Sequence, residues 1–132
     1  MNAVNASPVR GLTQKTRCLC TDNSGAKEVE IIGVFGFKSR KKMYPKAGIA
    51  DLVNVVVKKG KPEMRKKVER AVIVRVRKEY RRHDGLRVAF EDNAVVLVDE
   101  KGLPKASEVK GVVAKEVGER WPKVAGLAQA IL

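Results

Sequence analysis

Apolar and polar residues alternate with a period of two through the first three quarters of the chain, the mark of half-buried β-strands. Thr16–Cys20 reads as a short strand. Glu28–Val34 reads as another, with Gly33 and Gly36 marking a bend or bulge at its end. Leu52–Lys58 puts Val53, Val55 and Val57 on one face. Ala71–Arg77 puts Val72, Val74 and Val76 on one face and Arg75 and Arg77 on the other, so burying the valines sends both guanidinium groups outward, side by side. Leu86–Phe90 repeats the logic, with Leu86, Val88 and Phe90 inward and Arg87 outward. Asn93–Val98 is apolar on both faces and should be central.

The connectors are as legible. Asp22-Asn23-Ser24-Gly25 and Asp84-Gly85 are turns, because Asx and Ser side chains bond local backbone and Gly accepts a positive φ. Lys101-Gly102 and Pro104 close a last hairpin, and Gly60 and Pro62 break the basic loop Lys59–Lys67. After Ser107 the period changes. Val113, Val117 and Trp121 recur at helical spacing; Gly118 weakens that helix and Pro122 ends it. Val124, Leu127, Ala128 and Ile131 give a second helical stripe, too short to stand without docking. Several short strands followed by small helices suggest a compact barrel with a helical C-terminal appendage.

With 132 residues the chain fits one domain that can bury a core without staples. Aromatic residues are scarce, so the core is aliphatic, with valine the leading candidate. Charge changes the picture most. Residues 38–87 hold 18 of the 28 basic groups against five acids, a net +13, while the remaining basic and acidic groups cancel. A field concentrated in one block points to a polyanionic partner; the same charge would also serve solubility. No stretch is long and apolar enough to span a bilayer, and Met1–Gly11 has no hydrophobic signal core, so an intracellular location is the default expectation. Cys18 and Cys20 lie two apart on a strand, a poor geometry for a disulfide, and read as small buried apolar groups.

The basic groups form three clusters. Lys38, Arg40, Lys41, Lys42 and Lys46 surround Tyr44. Lys58, Lys59, Lys61, Arg65, Lys66 and Lys67 form the second. Arg75, Arg77, Lys78, Arg81 and Arg82 form the third, around Tyr80. Arginine forks and lysine point charges suit phosphate oxygens. Either tyrosine would stack on an unpaired base or pack at a strand end. No helix-turn-helix, zinc finger or basic zipper is present, which favours folded RNA over duplex DNA and leaves single-stranded DNA open. The chemistry of an enzyme is missing. His83-Asp84 sits at a hairpin tip, Lys59-Gly60-Lys61 lacks the Walker spacing, and Glu91-Asp92 has no metal-ligand framework and reads as turn-shaping. No catalytic residue, metal, cofactor or small-molecule substrate is expected. Trp121-Pro122 is either a docking anchor for the terminal helices or, exposed, a partner site.

Several motifs in order resemble one family. They are Ala71-Val72-Ile73-Val74, then Asp84-Gly85, Phe90, Asn93 and Val96-Leu97; Thr21–Lys27 matches the first hairpin. Lys58-Lys59-Gly60 and Pro62–Lys66 resemble its archaeal and eukaryotic branch, and Glu91–Ala94 and Trp121-Pro122-Lys123 are also similar. The family is that of large-subunit ribosomal protein L-fourteen, and the likeness spans about residues 12–132. Two positions depart: Ala50 stands where glycine is usual, and Val112 where proline commonly follows Gly111. The resemblance implies a mainly β fold, a small closed five-stranded β-barrel over about 12–106 with short C-terminal α-helices over about 107–132. It implies a structural, non-enzymatic part of the large ribosomal subunit in the cytoplasm. The implied partners are large-subunit ribosomal RNA, small-subunit ribosomal RNA through bridges, neighbouring ribosomal proteins, and an anti-association factor docking at Lys115, Arg120, Trp121 and Lys123. A protein-docking platform with incidental RNA contact is the alternative.

Overall fold

The computed structural model describes residues 3–41 and 43–132. Its elements in chain order are β1 (Ala6–Ser7), β2 (Leu12–Thr13), β3 (Arg17–Cys20), β4 (Ala26–Val34), β5 (Lys46–Ala47), β6 (Leu52–Gly60), β7 (Val68–Arg75), β8 (Tyr80–Arg82), β9 (Arg87–Val88), β10 (Ala94–Val98), β11 (Val109–Val113), α1 (Lys115–Arg120), α2 (Pro122–Gly126) and β12 (Ala128–Ile131). Five of them close a barrel in the order β10-β3-β4-β6-β7. All neighbours are antiparallel except β10 and β3, whose parallel pairing through Ala94↔Leu19 and Val95↔Cys20 completes the ring. Closure removes the sheet edges that would otherwise invite aggregation.

Paired residues share a face, so the registers identify the lining. Val29 pairs Val57, Ile31 pairs Val55, Val53 pairs Ala71, and Val95 pairs Ile73; all are buried. On β7 this corrects the expected inward set. Ala71 and Ile73 face the lumen, whereas Val72 and Val74 lie on the outer face. They are buried nonetheless, because Val109, Val113, Ala114, Val117 and Val124 join the same apolar cluster and the Ala114 N–H donates to the Val74 carbonyl at 3.2 Å. A register shift between Ala94 and Val95 is the bulge that absorbs Val74 and returns Arg75 to the outer face. β10 is buried at every residue, as its two-faced apolar pattern required.

The C-terminal unit differs from two helical stripes. The spacing of Val113, Val117 and Trp121 marks buried positions, but Val113 ends a strand and the helix covers only Lys115–Arg120. Pro122 opens the second helix at its first turn, where its missing N–H has no cost. That helix stops at Gly126, and Ala128–Ile131 runs as a strand parallel to β11, pairing Ala130 with Val112 and Ile131 with Val113. With Ala130, Ile131 and Leu132 exposed, no apolar face is left to extend the second helix, and backbone pairing with β11 decides the conformation. The Leu86–Phe90 strand shortens to Arg87–Val88. It pairs with β8 across the Asp84-Gly85 turn, and Leu86 is 62% exposed rather than inward.

Two backbone positions fix the joints. At Gly60 (φ 153°) a Cβ would stand 2.6 Å from the Gly25 carbonyl oxygen and 2.9 Å from Ala26 Cα, so the Asp22–Gly25 turn and the basic hairpin are clamped backbone to backbone. Gly60→Ala should destabilise the fold by about 2–3 kcal/mol through overpacking and strain; urea midpoints within error of the parent would refute the clamp. Ala50 is a buried non-glycine residue at φ 65°, a conformation that suits glycine and costs alanine about 1–2 kcal/mol. The turn aims the Ala50 carbonyl at the C-terminal unit, where it accepts from Trp121 Nε1 at 2.9 Å.

Candidate nucleic-acid interface

The contiguous basic block of the sequence folds into two separate groups. The β4–β6 ladder runs from Ala26↔Gly60 at one end to Val34↔Val53 at the other, and β7 begins at Val68 beside the first end. The nine residues of β4 span roughly 27 Å. The hairpin between β6 and β7 therefore carries Lys58, Lys59, Lys61, Arg65, Lys66 and Lys67 at one pole. The loop after β4 carries Lys38, Arg40, Lys41 and Lys46 at the other, joined there by Arg77, Lys78 and Arg81, which follow β7. The N-terminal segment ties the second group together: Thr13 pairs with Lys46 on β5, and Gly11 lies against the Lys78 side chain. All of these cations are exposed. Lys42 lies outside the described residues.

Each pole has a rigid base. In the hairpin the Lys66 N–H donates to the Val57 carbonyl at 2.9 Å, and Met64 and Arg65 both donate to the Lys61 carbonyl. Lys59 meets Glu28 at 3.7 Å, but the lysine is in solvent and the pair is worth little. In the second pole Phe35 donates its N–H to the Leu52 carbonyl at 3.0 Å, and the Arg70 guanidinium lies over its ring at 5.0 Å.

Arg75 and Arg82 do not join either surface. Arg75 points outward from the barrel as expected, but β11 covers that face. Its guanidinium forks onto Asp92 at 2.8 and 3.2 Å and donates to the Val112 carbonyl at 3.2 Å. Asp92 is thus a partner for Arg75 rather than a turn residue alone. In β8 the side chains alternate, so Arg81 faces out and Tyr80 and Arg82 face in. Arg82 is 8% exposed and Glu116 1%; they meet at 2.7 Å, with the Tyr80 hydroxyl donating to the same carboxylate at 2.7 Å. Arg82 also donates to the Leu132 carbonyl at 2.5 Å. Burial would push the Glu116 carboxyl up, but the hydrogen bonds from Arg82 and Tyr80 prevail and hold it below the ordinary range. The Glu116 bond raises Arg82 further, against the burial that opposes it. Nothing in the sequence around Glu116 marked it as buried; its partner lies 34 residues away.

The two tyrosines part company. Tyr80 is a core residue, 1% exposed, whereas Tyr44 is 74% exposed. Of the four C-terminal positions, Lys115 and Lys123 face solvent. Arg120 bonds Asp51 at 3.0 Å, and half-buried Trp121 stands between Ala50 and Gly102, so both fasten the C-terminal unit to the barrel. Exposed Arg10 and Arg87, absent from the three clusters, flank the second pole; Arg10 Cα is near Gly48, and Arg87 meets Glu79 at 3.7 Å.

His83 and Asp84 remain at an exposed hairpin tip. Among the described residues no three His, Cys, Asp or Glu side chains converge as metal ligands. Burial pushes the Cys18 thiol to about 11. Burial and then Asp22 push Cys20 to about 12, where its Sγ donates to Asp22 Oδ1 at 3.0 Å, so both stay protonated at neutral pH.

Residues 11–132 match the family model described as ribosomal protein L14p/L23e. The chain is 50% identical over 132 residues, all of both chains, to the large ribosomal subunit protein uL14 of Methanoregula boonei. It is 46% identical, again over both full chains, to that of Methanocorpusculum labreanum. It is 50% identical over 131 residues, 99% of each chain, to that of Methanococcus vannielii.

Proposed function

Because the chain belongs to the ribosomal protein L14p/L23e family, in its archaeal type, we propose that it is a structural constituent of the large ribosomal subunit in the cytoplasm, holding ribosomal RNA between two cationic poles. One observation carries the RNA reading: the exposed cations at each pole stand on rigid backbone, while the two arginines withdrawn from the surface serve the fold. Phosphate contacts then supply affinity and release counter-ions, and the folded shape of the RNA supplies specificity.

The finer partners rest on the same geometry. Poles separated by a barrel length suit one contact to large-subunit RNA and another to small-subunit RNA across a bridge. The exposed Lys115 and Lys123 support the reading that the C-terminal unit meets neighbouring ribosomal proteins and an anti-association factor, with Arg120 and Trp121 fixing its position. Barrel (about 12–106) and C-terminal unit (about 107–132) act as one domain, since a single apolar cluster runs through both.

The test is a salt titration of binding to purified large-subunit ribosomal RNA with a DNA duplex as competitor. Six to eight phosphate contacts predict a log–log slope of about −4 to −7. RNA preference should survive the competitor. A shallow slope, or loss of preference, overturns the reading.

A further inference from the structure

Met43 and Tyr44 are, among the described residues, the most exposed large apolar side chains, at 79% and 74%. They are adjacent in the loop between β4 and β5, just before β5, and neither belongs to the apolar core of the described residues. The Tyr44 hydroxyl has no hydrogen-bond partner among the described residues. Both ends of the loop are pinned. Phe35 is bonded to Leu52 and capped by Arg70 at one end, and Lys46–Ala47 pairs with Leu12–Thr13 at the other. Pro45 disfavours helical backbone at Tyr44, and the chain bends there with the ring in solvent. Around it stand the exposed Lys38, Arg40, Lys41 and Lys46, and no Asp or Glu occurs between Glu30 and Asp51.

An exposed aromatic ring in a segment whose only charges are cationic matches an unpaired nucleotide, whose base stacks while its flanking phosphates meet the lysines and arginines. A protein partner would have to bring its own acidic groups to these cations, whereas every single-stranded RNA segment carries both the phosphates and a base to stack. We propose that Tyr44, backed by Met43, is a stacking platform for an unpaired base in the RNA bound at this pole, and that it selects single-stranded loops or bulges over continuous duplex. The inference rests on the ribosomal RNA reading above and adds a specificity element to it. The exposed position means that Tyr44 variants keep the parent unfolding midpoint.

Full-length Tyr44→Ala, Tyr44→Leu and Tyr44→Phe variants would be titrated with purified large-subunit ribosomal RNA at several salt concentrations, with oligoadenylate and an RNA duplex as competitors. Loss of one stacked base predicts a weakening of roughly 5- to 100-fold for Tyr44→Ala. Tyr44→Leu should lie close to it and Tyr44→Phe within about threefold of the parent, because the ring and not the hydroxyl makes the contact. The salt slope should not change, since no phosphate contact is lost, and oligoadenylate should compete less well against the alanine variant. Unchanged affinity of Tyr44→Ala, an equal loss in Tyr44→Phe, or a reduced slope each overturns the platform. So does a Tyr44→Ala protein that binds RNA normally yet fails to enter reconstituted subunits, which would assign the side chain to a protein contact. If the parent itself does not bind the RNA, the broader ribosomal RNA reading falls with it.

Discussion

Glu116→Ala should lower the free energy of unfolding by about 3–5 kcal/mol, because it leaves the Arg82 guanidinium buried without its counter-charge. Folded domains of this size hold only about 5–15 kcal/mol in total, so the variant would stand near the edge of stability. The pair itself is not the source of the effect. Two charges removed from water roughly cancel their own attraction, so replacing both, as Arg82→Met with Glu116→Leu, should restore most of the loss. The cycle separates a missing contact from a stranded charge. Urea unfolding of the parent, both single variants and the double variant measures it. A single-variant loss below about 1 kcal/mol would mean that water reaches the site and the pair is not buried in solution.

The same carboxylate sets an acid limit. Its folded pKa lies below the ordinary value of about 4.3, so the stability it contributes is complete above that value and is lost as pH falls through the folded pKa. Unfolding free energy of the parent should therefore drop below about pH 4.3 more steeply than that of the Arg82→Met, Glu116→Leu protein. The consequence is local first. Arg82 holds the Leu132 carbonyl and Glu116 lies in the first turn of α1, so protonation should loosen the C-terminal unit that presents Lys115 and Lys123.

The parts of this architecture that could be read in the chain are those governed by short-range periodicity. Val53, Val55 and Val57 recur at period two in a valine-rich run, and their strand and its buried face follow from that spacing. β10 declared its central position by being apolar on both faces. What could not be read depends on which outer surface another segment covers. Arg75 and Arg77 look alike in the sequence, yet β11 lies over one and solvent over the other. The lumen set on β7 was shifted for the same reason: with both faces buried, Val72 and Ile73 carry no contrast. Arg82 was nearly legible. Tyr80-Arg81-Arg82 alternates, and seeing it as a strand beside a buried tyrosine would have turned Arg82 inward. The last strand was hidden because its side chains are exposed and only its backbone pairing with β11 fixes it.

Neutralising the hairpin pole should have the largest effect on binding. If half of Lys58, Lys59, Lys61, Arg65, Lys66 and Lys67 meet phosphates, changing all six to Gln removes about three contacts. The log–log salt slope then falls by about 2–3, and affinity at 0.1 M salt falls by a few hundredfold, near tenfold per released counter-ion. Neutralising Lys38, Arg40, Lys41, Lys46, Arg77, Lys78 and Arg81 should act comparably and independently. The poles lie roughly 27 Å apart along the ladder, beyond the Debye length of about 10 Å, so their losses should multiply when combined. The barrel should keep its midpoint in each case, because none of these side chains is buried. A variant that leaves both slope and affinity unchanged would mean that its pole faces solvent in the complex. The RNA would then be held from one end only, and a barrel-length bridge between two RNA segments would have to be abandoned.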